Sequence, residues 1–372
     1  MFNRKKTFSH EPDNILILVT GIILFIGILM IASASSSLSE RLTGNSFYYL
    51  IHQICFGLIP GLIIAFIISK FSLNFLKRLA LPFLIFSIVL CILVFIPSFQ
   101  YYYGGAVRWI KLGPITFQPA EFVKIALIIY LAAFFAKKKK ENKINSLEEC
   151  FLPFVFILLP FAVLFLLQPD MGSFGIVCLI SLFMYFCAGG SLLYSSLLVV
   201  FGIIAFIILS FIAPYRFARV TTFLNPEIDP QGIGYHLNQN LITIGSGRIL
   251  GVGYGNSIQK FGYLPQPMED SIFAIWGEET GFIGCVSLLS LYIIFIWRGV
   301  KICQNTPDDF EKNLACGIIS WIGIQAFINI AGVLGLFPLT GITLPLISYG
   351  GTALIATLIG VGILINISKR TI

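Results

Sequence analysis

Apolar runs long enough to cross a bilayer recur along almost the whole chain, and no other feature constrains its fold as strongly. Within hydrocarbon every backbone N–H and C=O must be satisfied internally, so the unit to count is a helix of about 17–25 apolar residues. Counting this way predicts about ten helices, near 14–36, 51–70, 77–97, 119–136, 151–168, 172–189, 192–213, 271–297, 314–336 and 345–367. Only Gln168-Pro169-Asp170-Met171 separates the fifth run from the sixth, and Pro169 makes them a tight helical hairpin rather than one span. Charged residues are 11% of the chain, against about 25% in a soluble domain. The expected fold class is therefore all-α: a single polytopic membrane domain over residues 1–372, with no soluble domain, internal repeat, P-loop or dinucleotide fingerprint. The first run, from about Asn14 to Ser33, is long enough to span by itself, so no cleavable signal peptide is expected.

Basic residues set the orientation. A cytoplasmic N-terminus places sixteen of the 24 Lys and Arg inside: Arg4, Lys5, Lys6, Lys70, Lys77, Arg78, Lys137 to Lys140, Lys143, Arg298, Lys301, Lys312, Lys369 and Arg370. Seven fall outside (Arg41, Arg108, Lys111, Arg216, Arg219, Arg248 and Lys260), and Lys124 lies within a span. That imbalance obeys the positive-inside rule, so both termini are expected in the cytoplasm. The net charge of +7 is accounted for by topology and anionic lipid, with no nucleic acid partner. The eight cysteines lie in spans or cytoplasmic loops, where neither a disulfide nor a metal cluster is expected.

The same topology puts a long polar insertion, about 214–270, on the outer face. Loops of this length without structure are uncommon and usually functional or disordered. This one holds few charges and several aromatics, together with Arg216 and Arg219, His236, and the stretches Gly245-Ser246-Gly247 and Gly251-Val252-Gly253-Tyr254-Gly255. Leu237, Leu241, Ile242 and Ile244 predict a short amphipathic or re-entrant piece within it. His236 is read as a hydrogen-bonding residue, since no partner stands at metal-ligand spacing. The loop ends at Met268-Glu269-Asp270, where Asp270 is either a helix cap or a reactive carboxylate. Glu278 and Glu279 follow about 12 Å deeper at ~1.5 Å per residue.

Charge within a span costs roughly 2.5–3.5 kcal/mol on insertion scales, so it has a partner or a purpose. In Gln118-Pro119-Ala120-Glu121-Phe122-Val123-Lys124, Pro119 suits a first helical turn and Glu121 complements the helix dipole. Lys124 at i+3 either pairs with Glu121 as a structural bridge or faces a cavity that holds an anionic substrate. The preceding outer loop carries Arg108, Trp109 and Lys111, of which Arg108 can grip phosphate oxygens in a bidentate manner. Asp170, a second outer carboxylate, either caps the helix that starts at Met171 or serves in catalysis. Near the C-terminus, Gly350-Gly351 reads as close helix packing.

Taken together in chain order, these elements resemble the SEDS family (shape, elongation, division and sporulation), which includes FtsW, RodA and SpoVE. The residues that carry the resemblance are Gly105-Ala106-Val107-Arg108-Trp109, Gln118 to Lys124 and Gln168-Pro169-Asp170-Met171-Gly172. Asn225-Pro226 with Asp229-Pro230, Gly234-Tyr235, Phe273-Ala274 with Gly277-Glu278-Glu279, and Leu344-Pro345-Leu346-Ile347-Ser348-Tyr349-Gly350-Gly351 complete it. Gly255-Asn256-Ser257-Ile258-Gln259-Lys260 and Thr340 to Pro345 are more similar to the division branch, FtsW. One departure stands out: the family reads His-Thr-Asp where this chain has Met268-Glu269-Asp270.

The resemblance implies an inverting peptidoglycan glycosyltransferase in the bacterial cytoplasmic (inner) membrane, at the division septum. Its substrates would be lipid II and the growing glycan on undecaprenyl diphosphate, with the incoming 4-hydroxyl as nucleophile. It implies Asp270 as the base, and Arg108, Lys111, Lys124, Glu121, Arg216 and Arg219 around the diphosphate. No cofactor is required, although a divalent cation can assist. Expected partners are a class B penicillin-binding transpeptidase and divisome proteins. A lipid II flippase and a non-catalytic scaffold for the transpeptidase are the competing readings.

Overall fold

The computed structural model describes residues 11–103, 106–113, 115–212, 217, 221–224, 232 and 234–371. Among them seven helices are long and apolar enough to cross a membrane: α1 Asn14–Thr43, α2 Tyr48–Ile68, α4 Pro119–Lys140, α5 Leu147–Leu167, α9 Ile272–Asn305, α10 Asp309–Val333 and α11 Gly351–Ser368. Three further apolar helices complete the expected order: α3 Ala80–Leu93, α6 Met171–Cys187 and α7 Leu192–Ile212. A further helix, α8 (Tyr235–Ser246), lies between α7 and α9 as the predicted amphipathic piece. The expected all-α membrane fold holds, although several bounds move. The last span starts at Gly351 rather than 345, because Leu346 and Gly350 adopt positive φ and keep the preceding residues out of the helix.

Local chemistry sets the ends. Asp13 caps α1 by accepting from Leu16 N (2.9 Å), and Gly44 closes that helix in the left-handed region. Asp308 caps α10 through Phe310 N and Glu311 N (2.9 and 3.1 Å). Pro119 occupies the first turn of α4 as expected, with Glu121 beside it. Asp170 caps α6, accepting from Ser173 N (3.1 Å) and Ser173 Oγ (2.8 Å).

At the centre, α10 packs against α4, α6 and α9, while α11 packs against α2. Gly57 and Gly61 of α2 let the α11 backbone approach, and Gly351 lies against the Phe56 carbonyl. The apolar faces of α2, α3 and α7 remain outward, as lipid-facing spans require.

Two features depart from a plain bundle. The segment before α4 is a three-stranded antiparallel meander: β1 Gln100–Tyr103, β2 Ala106–Leu112 and β3 Ile115–Phe117. Pairs such as Tyr101↔Trp109 and Ile110↔Phe117 set its register, and its aromatic and β-branched residues favour strand over loop. The second departure is a break in α9 at Gly281 (φ 67°). Loop residues mend the interrupted backbone: Val252 N and Gly253 N donate to the Glu278 and Glu279 carbonyls (3.0 and 3.1 Å). Phe282 N and Ile283 N donate in turn to the Arg248 and Ile249 carbonyls (2.9 and 3.3 Å). An unmended break within hydrocarbon would strand these groups at several kcal/mol each.

Candidate active site

Asp270 stands one residue before the cap position of α9, which Ser271 occupies, so its carboxylate is not the N-cap the sequence left open. The residue is only 6% exposed, and its backbone is held from two directions. The Asn329 amide donates to the Asp270 carbonyl (3.0 Å), and Tyr349 N donates to the Met268 carbonyl (2.8 Å). The carboxylate faces Gly341, where a Cβ would stand 3.8 Å from Oδ2.

The Asn329 amide also donates to the Ile342 carbonyl (2.7 Å). One turn earlier on α10, Gln325 Nε2 donates to the neighbouring Thr343 carbonyl (2.9 Å). Gln325 Oε1 in turn accepts from Lys124 Nζ (2.8 Å) and Trp321 Nε1 (2.7 Å). Lys124 pairs with Glu121 at 2.8 Å, and both are buried. The i,i+3 ion pair is thus real, and α10 links it to the segment that flanks Asp270. Gly172, at the start of α6, packs on this segment too: a Cβ there would meet the Thr340 carbonyl at 3.0 Å.

Arg108 lies on β2, half-buried, where its Nε donates to the Gln168 carbonyl (3.3 Å) and its Nη2 to that of Pro169. It therefore pins the meander onto the α5–α6 turn and keeps further N–H donors of its guanidinium. Lys111 is exposed and reaches over the Tyr101 ring at 5.5 Å. Arg216 and Arg219, the Asn225–Gln231 run and Gly105 of the first motif lie outside the described residues.

On the other side of Asp270, α8 presents His236. Its Nε2 lies 2.7 Å from Ser271 Oγ and 3.9 Å from Asp270 Oδ1. The helix is fixed by contacts from Tyr235 to the Tyr263 carbonyl (2.6 Å) and from Gln239 to Gln259. Deeper, Lys260 is buried with Glu279 (3.3 Å), and Ser33 of α1 bonds both. Glu278 accepts from Ser257 Oγ and from Ile258 N (3.2 Å). A cavity of about 390 Å³ opens between the C-terminal part of α1 and the 260–269 segment, and Arg41, Gln266 and Glu269 are in its wall.

Chemically, the site combines a shielded carboxylate and an adjacent imidazole within a hydrogen-bonded frame. Sequence reasoning missed Gln325 and Asn329, because it searched the spans for charge alone. Two amides one turn apart in an apolar helix were the available signal. His236 was assigned a hydrogen bond, which it makes, but nothing in its spacing placed it beside Asp270.

The profile of the FtsW/RodA/SpoVE family, cell cycle proteins, matches residues 13–372. The chain belongs to that family. This FtsW/RodA/SpoVE protein is 38% identical over 363 residues to stage V sporulation protein E of Bacillus subtilis, covering 98% of each chain. It is 37% identical over 367 residues to a probable peptidoglycan glycosyltransferase FtsW of Trichlorobacter lovleyi, covering 98% of this chain and 95% of the relative. Its fold is similar to a chain from a peptidoglycan synthase complex that coordinates polymerization and crosslinking (TM-score 0.79, 29% identity, 96% and 97% covered). It is also similar to the rod shape determining protein RodA of Thermus thermophilus (TM-score 0.72, 27% identity, 96% and 97% covered).

Proposed function

We propose that this chain is a peptidoglycan glycosyltransferase that polymerises lipid II at the outer face of the membrane. The observation that carries the reading is Asp270: a shielded carboxylate at the outer mouth of α9, in a full-length relative of proteins named as such enzymes. The incoming 4-hydroxyl attacks the anomeric carbon of the strand held on undecaprenyl diphosphate, with inversion. Diphosphate is a good leaving group, so one base suffices, and Asp270 takes the hydroxyl proton. Arg108, Lys111, Arg216 and Arg219 supply positive charge for the diphosphate, and a divalent cation accompanying it would share that task. Glu121 and Lys124 act from below as the brace that holds the Ile342–Thr343 segment.

The flippase reading is less well supported, because Lys124 and Glu278 bond to protein groups instead of lining an open path. The stretches similar to FtsW favour work at the division septum with a class B penicillin-binding transpeptidase and other divisome proteins. The purified full-length chain, given lipid II in detergent, is expected to form glycan polymer. Asp270→Asn should slow it by at least about 100-fold, the low end for a lost general base. An Asp270→Asn protein that folds and polymerises at the wild-type rate removes Asp270 as the base. Wild-type protein that makes no polymer, with or without a co-purified transpeptidase, removes the enzymatic reading.

A further inference from the structure

A polymerase that adds one sugar unit after another must clear its base after every addition. Asp270 is badly placed to do that alone, since its side chain is 8% exposed where that of His236 is 24% exposed. The imidazole is the more exposed of the two, and its Nε2 lies 3.9 Å from Asp270 Oδ1 and 2.7 Å from Ser271 Oγ. Of the chain's three histidines, His52 sits on α2 against Tyr349 and His10 lies outside the described residues. Imidazole is the side chain that takes up and releases protons near neutral pH. The position two residues before Asp270, where the resemblance would place an imidazole, holds Met268, a 5% exposed member of the hydrophobic core.

From this geometry we infer that His236 relays protons behind Asp270, returning the carboxylate to its ionised form between additions. The inference rests on Asp270 being the base. In the step itself, the 4-oxygen bonds to the anomeric carbon as the bond from that carbon to the diphosphate breaks. The bonding pair leaves with undecaprenyl diphosphate, and the hydroxyl proton moves to the Asp270 carboxylate. Neutral His236, in the tautomer whose Nε2 carries no hydrogen, then accepts that proton at Nε2 through a water bridging the 3.9 Å to Oδ1, and gives it to bulk water. His236 acts through Asp270 and makes no contact with the sugars, so its loss should lower kcat and spare KM. The α8 frame suits such a role, because the Tyr235 and Gln239 contacts fix the helix on the segment that leads into Asp270.

The test is lipid II polymerisation by the full chain carrying His236→Ala, His236→Gln or Asp270→Asn. His236→Ala is expected to lower kcat at least about tenfold with KM within about twofold, the pattern of an interaction made only during turnover. Added imidazole should restore much of the lost rate. His236→Gln can still hydrogen-bond Ser271 Oγ through its amide but cannot relay a proton, so it should be as slow as His236→Ala. In an Asp270→Asn background, His236→Ala should add no further loss, because the two residues act as one unit. A His236→Gln protein with wild-type kcat, or a His236→Ala protein that imidazole cannot restore, overturns the inference and leaves the Asp270 reading intact. An active Asp270→Asn protein overturns the reading itself.

Discussion

Two buried ion pairs flank the candidate site, and they are built in opposite ways. Glu121 and Lys124 sit on one helix at i,i+3, sealed between α4 and α10 with Gln325 and Trp321 around them. Lys260 and Glu279 come from a loop and a broken helix, and Ser33 of a third element joins them. Water can reach the first pair only if packed spans separate. The second pair ties a loop to the broken helix, and that loop is also held by backbone bonds, by side-chain bonds such as Ser257 to Glu278, and by glycines that admit no side chain. Gly251 is an example: its φ of 81° and its contact with the Glu279 carbonyl leave no room for a Cβ. The first pair thus acts as a brace in the bundle, and the second as a latch between the loop and the broken helix.

The largest effect expected from this contrast is at the brace. Lys124→Met leaves the Glu121 carboxylate buried without its cation, at about 3–5 kcal/mol. The thermal midpoint in detergent should fall steeply and recover in large part when Glu121→Gln is added. A Lys124→Met protein as stable as wild type would show that water reaches the pair after all. The latch should give a smaller change of a different kind. Lys260→Met removes hydrogen bonds worth about 1–3 kcal/mol, and the freed loop can rehydrate Glu279. The expected readout is faster tryptic cleavage at Arg248 with little change in midpoint; an unchanged cleavage rate breaks the distinction. The smallest effect belongs to Lys139 and Asp309, paired at 2.7 Å but 45% and 43% exposed. Lys139→Ala should stay within about 0.5 kcal/mol, since solvent and salt screen such a pair.

Much of the brace was legible in the sequence. Pro119, Glu121 and Lys124 lie within one helical turn and a half, where fixed periodicity turns spacing into contact. Asp170 was legible as a cap for the same reason. The latch was not: Lys260 read as one more outer basic residue, and Glu279 as an intramembrane charge without a stated partner. The meander was missed because Tyr101 to Tyr103 and Val107 to Trp109 lie in a stretch read only as an outer loop with anchoring aromatics. Asp270 was singled out, but its confinement by Asn329 and Tyr349 depends on residues 59 and 79 positions further along the chain.

The sequence by itself determined the spans, their expected orientation and the family, because apolar length, charge asymmetry and local motifs act over a few residues at a time. Tertiary structure alone decided that Gln325 and Asn329 grip the segment beside Asp270 and that α8 brings His236 within 3.9 Å of it. The physical reason is that hydrocarbon leaves no water to satisfy a buried polar group. Each must therefore find a protein partner, and packing between distant spans determines which partner that is.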